Sequence, residues 1–228
     1  MFWCLIKSSL LLIKHYFWGS LHLEHIENRM AEDYYNTKES VEEYIRLAKD
    51  VNGAELIAKF KRFLPSNSII LEIGTGPGTD WNILNQDYTV IGSDNSPEFL
   101  SHLVSSNPSG RFIELDAITL DVQESFDGIY SNKVMHHLKD IDLINSLERQ
   151  HEILNPNGII CHSFWKGTGS EVFKGLFVNY HSEKTLRAYF EKHFEILALE
   201  SYAEFEEADS MLLIGKKKNN TTTKSKRH

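Results

Sequence analysis

Ile70-Leu71-Glu72-Ile73-Gly74-Thr75-Gly76-Pro77-Gly78-Thr79-Asp80 is the stretch that decides how this chain is read. The apolar run from Ser68 to Ile73 has the length and composition of a buried strand. It stops at Gly74, Gly76 and Gly78, which alternate with Thr75 and Pro77. Glycine accepts positive φ and has no Cβ, so the backbone here can turn sharply and let a ligand approach it. Thr79 or Asp80 is placed to cap a following helix. A strand, a glycine turn and a helix N-terminus together make a nucleotide-cofactor site in doubly wound α/β folds. The spacing departs from the dinucleotide fingerprint Gly-x-Gly-x-x-Gly, because Thr79 stands where the third glycine belongs.

Outward from this stretch the chain alternates. Upstream, Thr37 to Ala48 has helical spacing with Thr37 as cap and Val41, Tyr44, Ile45 and Leu47 on one face. A second helix is predicted from Ala54 to Leu64, stopped by Pro65. Downstream, a short helix is predicted over Thr79 to Asn85. A strand over Tyr88 to Ser93 ends at Asp94, and a helix follows over Pro97 to Ser105. A strand over Arg111 to Leu115 ends at Asp116, and one over Phe126 to Tyr130 ends at Ser131-Asn132. A helix over Ile141 to Leu154 is closed by the turn Asn155-Pro156-Asn157-Gly158, and Ile159 to Phe164 is the fifth strand. Such alternation implies parallel strands with helices on both faces. After a helix over Ser182 to Phe194 the pattern changes. Glu195 to Ala203 and Ser210 to Lys216 are both strand-like, with no helix between them, and predict an antiparallel pair.

The pattern Glu72-x-Gly74-x-Gly76-x-Gly78, with an acid two residues before the first glycine, resembles the glycine motif of the class I S-adenosylmethionine-dependent methyltransferases. The terminal strand pair is similar to the way that family ends its sheet, so the resemblance covers about Thr37 to Lys217. It implies an α/β, doubly wound, Rossmann-like seven-stranded sheet, mostly parallel with an antiparallel C-terminal strand. It also implies S-adenosyl-L-methionine as cofactor, with the loop Gly74, Thr75, Gly76 and Gly78 around its amino-acid end and Glu72 orienting it through that loop. Asp94, with Asn95 beside it, matches the family's ribose-binding acid, the reading that its position at a strand end favours; Asp94-Asn95-Ser96-Pro97 also has the look of a helix start. Asp116 matches the acid that meets the adenine amino group, and the N–H of Ala117 the donor to a ring nitrogen; a plain cap of the next turn is the other reading. Ile91, Leu115 and Leu138 offer apolar walls or core packing. Ser131 and Asn132 match the segment bordering the methionine moiety, and His136 is the candidate catalytic residue, an imidazole able to accept a proton near pH 7.

Composition narrows the function. At 228 residues, 41% hydrophobic and 25% charged, the chain is ordinary for one α/β domain with extensions. Its net charge of −8 includes a basic end, so the body is more acidic still, and nucleic-acid binding is not expected. Cys4 and Cys161 are far apart without metal-ligand spacing, which favours a reducing, cytoplasmic setting. Neither a nucleophile elbow nor a P-loop is present, and the eleven histidines form no metal-ligand pattern, so no metal is expected. The acceptor is expected to be a small molecule shaped by Tyr34, Tyr35, the first helix and a mobile cover from Trp165 to Tyr180, which holds Phe173, Phe177 and several glycines. The competing classes are a nicotinamide-dependent oxidoreductase and a non-catalytic binding module on the same fold. Residues 1–29 open on an apolar run, Met1 to Ile13, that falls short of the about 20 residues of a spanning helix. They suit a membrane-surface anchor over 1–28 or, the favoured reading, an upstream start preceding Met30. Residues 30–217 form the predicted domain and 218–228 a basic tail that lacks the apolar residues to offset ordering.

Overall fold

The computed structural model describes Tyr35 and residues 37–49, 51–173 and 176–219. The apolar N-terminal run, Tyr34 and the basic tail past 219 lie outside the described residues.

The strand runs pair into one seven-stranded sheet. Strands β1 (Ile69–Ile73), β2 (Thr89–Asp94), β3 (Arg111–Glu114), β4 (Phe126–Asn132) and β5 (Leu154–Trp165) are parallel; β8 (Phe194–Tyr202) and β9 (Ser210–Lys217) close the edge antiparallel. Their order is β3-β2-β1-β4-β5-β9-β8. The chain thus lays β2 and β3 to one side of β1, then returns to place β4 on the other. Ligands in such sheets bind beyond the carboxyl ends of the strands where the order reverses, here between β1 and β4.

Adjacent residues on a strand face opposite ways, and both faces of this sheet are covered. Leu71, Ile73 and Ile129 pack with Leu143 and Leu147 of α5 (Asp140–Ile153) and with Leu186 and Phe190 of α6 (Glu183–Phe190). Ile70, Val90 and Tyr130 face the other way, against Leu56, Ile57 and Phe60 of α2 (Ala54–Phe60) and Trp81 and Leu84 of α3 (Thr79–Leu84). α1 (Lys38–Leu47) is capped by Thr37 as expected, and α4 (Pro97–Ser106) by the Ser96 hydroxyl.

Several boundaries move. The second helix stops at Phe60, and residues 61–64 turn toward Pro65. The helix expected to reach Phe194 stops at Phe190, because Phe194 is fully buried as the first residue of β8. The turn expected at Asn155 to Gly158 is an irregularity within β5: Leu154 pairs with Phe126 and Ile159 with Gly128, while Asn157 takes φ 66°. Neither Thr79 nor Asp80 caps α3. Gly78 holds that position at φ 84° with no side-chain bond. The expected cover is built as a hairpin, β6 (Ser170–Phe173) with β7 (Leu176–Asn179).

Candidate functional site

The glycine loop is fastened to β2 by reciprocal bonds. The Thr75 N–H donates to Ser93 O at 2.8 Å, and the Ser93 N–H donates to Thr75 Oγ1 at 2.9 Å. Asp94, at the end of β2, accepts the Gly76 N–H at 2.9 Å on one oxygen and the Ser96 N–H at 2.9 Å on the other. Ser96, not Asp94, caps α4. Burial raises the Asp94 pKa, and those backbone donors oppose the rise. A carboxylate has about four lone-pair sites, so it keeps acceptor capacity toward a ligand.

This loop is the floor of a cavity of about 660 Å³. Of the candidate site residues, Glu72, Gly74, Thr75, Gly76, Asp94, Asn95, Asp116, Ala117, Asn132 and His136 all line it. Gly76 needs its positive φ of 52°, and a Cβ there would meet nothing within 4 Å, so its open side is cavity. Gly78 and Ser131 are corrections. A Cβ on Gly78 would press on Leu103 at 2.8 Å, so that glycine serves helix packing and not the cavity. Ser131 is buried on the opposite side of β4 and bonds His162 Nδ1 at 2.7 Å. Of the proposed apolar walls, Leu115 and Leu138 reach the cavity, whereas Ile91 stays in the core.

Two acids shape the floor. Glu72 is 2% exposed, and its Oε2 has no hydrogen-bond partner among the described residues. Burial above all, then Asp80 and Asp94, raises its pKa well above the ordinary carboxylate value, with Thr75 opposing. An acidic oxygen left unpaired here suits a cationic amine. Asp80, read in the sequence only as a candidate helix cap, instead joins three segments. It accepts the Gly53 N–H at 2.6 Å, the Tyr130 hydroxyl at 2.7 Å and Asn132 Nδ2 at 3.0 Å. Asp116 behaves as a cap on one oxygen, Oδ1, which accepts the N–H groups of Ile118 at 2.7 Å and Thr119 at 2.9 Å.

The opposite wall is aromatic and basic. Tyr35, Tyr44 and Leu47 line it from the N-terminal side, and Leu176 and Val178 of the hairpin from above. His137 Nδ1 lies 2.7 Å from Phe177 O, so that nitrogen carries the proton and Nε2 is left to accept. His136 is 2% exposed, and burial first, then His137, Lys133 and His181, hold its pKa well below 6.5. It is therefore a neutral imidazole. Lys133 was not anticipated. It takes φ 55°, and its ammonium lies 3.4 Å from the centre of the Trp165 ring, 2.6 Å from Ser210 Oγ and 3.3 Å from Glu204. Burial lowers its pKa to about 8. Glu204 and Phe205 also line the cavity from the β8–β9 turn, where Asp209 accepts the N–H groups of Glu204, Phe205 and Glu206.

Residues 70–158 match a family model described as a methyltransferase domain. A tRNA (carboxymethyluridine(34)-5-O)-methyltransferase of Arabidopsis thaliana is 30% identical over 111 residues, 48% of this chain and 27% of that protein. An uncharacterised methyltransferase of Oceanobacillus iheyensis is 30% identical over 101 residues, 42% of this chain and 46% of that protein. The chain thus spans less than half the length of these curated relatives. Among solved structures, the Burkholderia thailandensis 1,6-didemethyltoxoflavin-N1-methyltransferase, with its substrate and S-adenosylhomocysteine bound, superposes with a TM-score of 0.69 at 18% identity, covering 89% of this chain and 92% of that one. An amino pentose methyltransferase of Micromonospora echinaspora with bound S-adenosylmethionine gives 0.65 at 13% identity, covering 78% and 97%. At these identities the structural likeness is one of fold.

Proposed function

We propose that this chain is a class I S-adenosylmethionine-dependent methyltransferase, an enzyme carrying a methyl group from S-adenosylmethionine to a small-molecule acceptor by in-line displacement. The observation that carries the reading is the floor at the β1–β4 switch point: the unpaired Glu72 oxygen, the open face of Gly76 and the Asp94 carboxylate line one cavity. Those residues fit the cofactor chemically. Glu72 and the loop Gly74, Thr75 and Gly76 face its amino-acid end, Asp94 and Asn95 the ribose, Asp116 and Ala117 the adenine, and Asn132 the methionine side. When bound, S-adenosylmethionine supplies an electrophilic methyl on a sulfonium.

The chain's own residues then hold the acceptor and exclude water, and orientation of this kind can lower a barrier by roughly 7–11 kcal/mol. The hairpin closes the acceptor end through Leu176 and Val178, and Tyr35, Trp165 and Phe205 complete an apolar wall suited to a small molecule. His136 faces the acceptor as a neutral imidazole that accepts a hydrogen bond from the attacking group, and its lowered pKa makes it a weaker proton acceptor than its sequence reading implies. The tRNA-modifying relative makes an RNA acceptor the alternative to test.

Calorimetry with S-adenosylhomocysteine tests the cofactor. Binding by wild type is expected, together with thermal stabilisation by that ligand and none by NADH. The reverse pattern would assign the fold to nicotinamide chemistry. A labelled-methyl screen of metabolite and tRNA fractions then identifies the acceptor class, and label in the tRNA fraction alone would overturn the small-molecule reading. With the acceptor in hand, His136→Ala should lower turnover while cofactor affinity stays near normal.

A further inference from the structure

Behind the cavity wall runs a chain of buried polar side chains that the proposed chemistry does not use. Ser146 Oγ lies 2.6 Å from Ala117 O, Gln150 Nε2 lies 3.2 Å from Ser146 Oγ, Gln150 Oε1 lies 2.8 Å from His162 Nε2, and His162 Nδ1 lies 2.7 Å from Ser131 Oγ. Ser146, Gln150 and His162 have no exposed surface, and Ser131 is 1% exposed.

The protons on this chain have one arrangement. A carbonyl oxygen only accepts, so Ser146 donates its hydroxyl proton to Ala117 O. Ser146 Oγ then accepts from the Gln150 amide nitrogen, which fixes the amide orientation and turns Gln150 Oε1 toward His162. His162 must carry its proton on Nε2, and Nδ1 accepts from Ser131. Burial pushes the His162 pKa down to about 3, so this tautomer is neutral through the physiological range. Every link donates toward Ala117, and hydrogen bonds aligned in series in a low-dielectric interior polarise one another.

One end of the chain reaches the cavity, and the other stops one residue short of it on β4. Ala117 lines it directly; Ser131 precedes Asn132, which lines it and bonds Asp80. The loop that follows Asp116 is clamped by the same helix. Arg149 on α5 donates to Leu120 O at 3.2 Å and to Val122 O at 2.7 Å. Leu120, fully buried, takes φ 42°, a left-handed conformation that a residue with a Cβ holds only when its surroundings enforce it. α5 therefore presents Ser146, Arg149 and Gln150 as a brace for residues 117–122.

We propose that Ser131, His162, Gln150 and Ser146 form a positioning relay that fixes the Ala117 carbonyl, and through it the backbone that carries the Ala117 N–H, and thereby sets discrimination for adenine over other bases in the cofactor. The inference rests on reading Ala117 as adenine-facing. The residues touch no ligand; they act through the carbonyl they hold.

The test compares S-adenosylhomocysteine with S-inosylhomocysteine, in which an oxo group replaces the adenine amino group. Both are titrated into wild type, Gln150→Met and Ser146→Ala. Each variant should lose roughly tenfold of its preference for the adenosyl compound, the scale of one misaligned hydrogen bond. A merely structural role would lower the melting temperature and leave that ratio unchanged, and this result would overturn the relay. Imidazole nitrogen NMR of the wild type is a second readout that needs no variant. The Nε2-protonated His162 tautomer should persist at pH 5, and its Nε2 proton should exchange more slowly once S-adenosylhomocysteine is added. The other tautomer, or an exchange rate indifferent to the ligand, would also overturn the relay. Failure of wild type to bind S-adenosylhomocysteine would instead sink the methyltransferase reading itself.

Discussion

Gly74 and Gly76 are two residues apart and both left-handed, at φ 68° and 52°, yet substitutions there should separate folding from binding. A Cβ on Gly74 would lie 2.5 Å from Val134 Cγ2 and 2.9 Å from its Cγ1. Val134 is β-branched and cannot swing both methyls aside. Overpacking of this kind costs roughly 1–3 kcal/mol, and the left-handed backbone adds about 1–2 kcal/mol for a residue with a Cβ. Gly74→Ala should therefore lose about 2–5 kcal/mol, a large part of the roughly 5–15 kcal/mol that holds a domain together. A Cβ on Gly76 meets nothing within 4 Å. Gly76→Ala should lose only the backbone part, about 1–2 kcal/mol. Gly76→Val should also stay folded, but its methyls would stand in the cavity and weaken S-adenosylhomocysteine binding by tenfold or more, about 1.4 kcal/mol. Urea unfolding gives the first quantity and calorimetry the second. Equal destabilisation by alanine at both positions would show that the Val134 contact is not as described. Native-like affinity in folded Gly76→Val would remove the loop from the cofactor site.

Three further outcomes are expected. Asp80→Ala strips the acceptor from the Gly53 N–H, the Tyr130 hydroxyl and the Asn132 amide, and at about 1–3 kcal/mol for each of the three donors left unpaired it should cost about 3 kcal/mol or more in urea unfolding. Additive losses in a cycle with Tyr130→Phe would refute the shared bond. Glu72 has a raised folded pKa, so the folded state holds its proton to higher pH than the unfolded state does. Stability should fall as pH rises from the unfolded value through the folded one, and Glu72→Gln should flatten that fall. Parallel melting curves against pH for the two proteins would contradict the buried, unpaired carboxylate. Asp94→Ala should weaken S-adenosylhomocysteine binding by about 1–3 kcal/mol, whereas a lower melting temperature with unchanged affinity would confine Asp94 to holding Gly76 and Ser96.

The order of elements was legible because most strands are short apolar runs ended by a polar or glycine residue, and Thr37, Ser96 and Ser182 cap the helices that follow them. What local pattern could not convey was competition for the same residues. Leu154 has the spacing of a helix end, but it pairs with Phe126 across the sheet, so β5 starts there and the predicted turn becomes a bulge. Phe194 continues the apolar face of the preceding helix, but full burial beside β9 draws it into the edge strand. The cover's glycines suggested mobility, yet Glu171 with Val178 and Val172 with Phe177 form a two-stranded ladder.

The site divides along the same line. Residues that follow a parallel strand lie at its carboxyl end whatever the distant packing, so Asp94, Asn95, Asp116, Ala117 and Asn132 could be read from position alone. Ser131 failed because it stands on the strand beside Asn132, and side chains one residue apart point to opposite faces. Parity along β4 therefore sends Asn132 to Asp80 and the cavity, and Ser131 to His162 on the far side. Lys133 and Glu204 were invisible for a different reason. They meet only because β9 inserts between β5 and β8, which carries the β8–β9 turn over Trp165. A cofactor end fixed by strand termini and an acceptor end assembled from distant turns is why the sequence speaks clearly about S-adenosylmethionine and hardly at all about what is methylated. On the proposed reading the acceptor end is the part of the cavity lined by Lys133, His136, Trp165, Glu204 and Phe205, and sheet order, not a local motif, brings Glu204 and Phe205 to the other three.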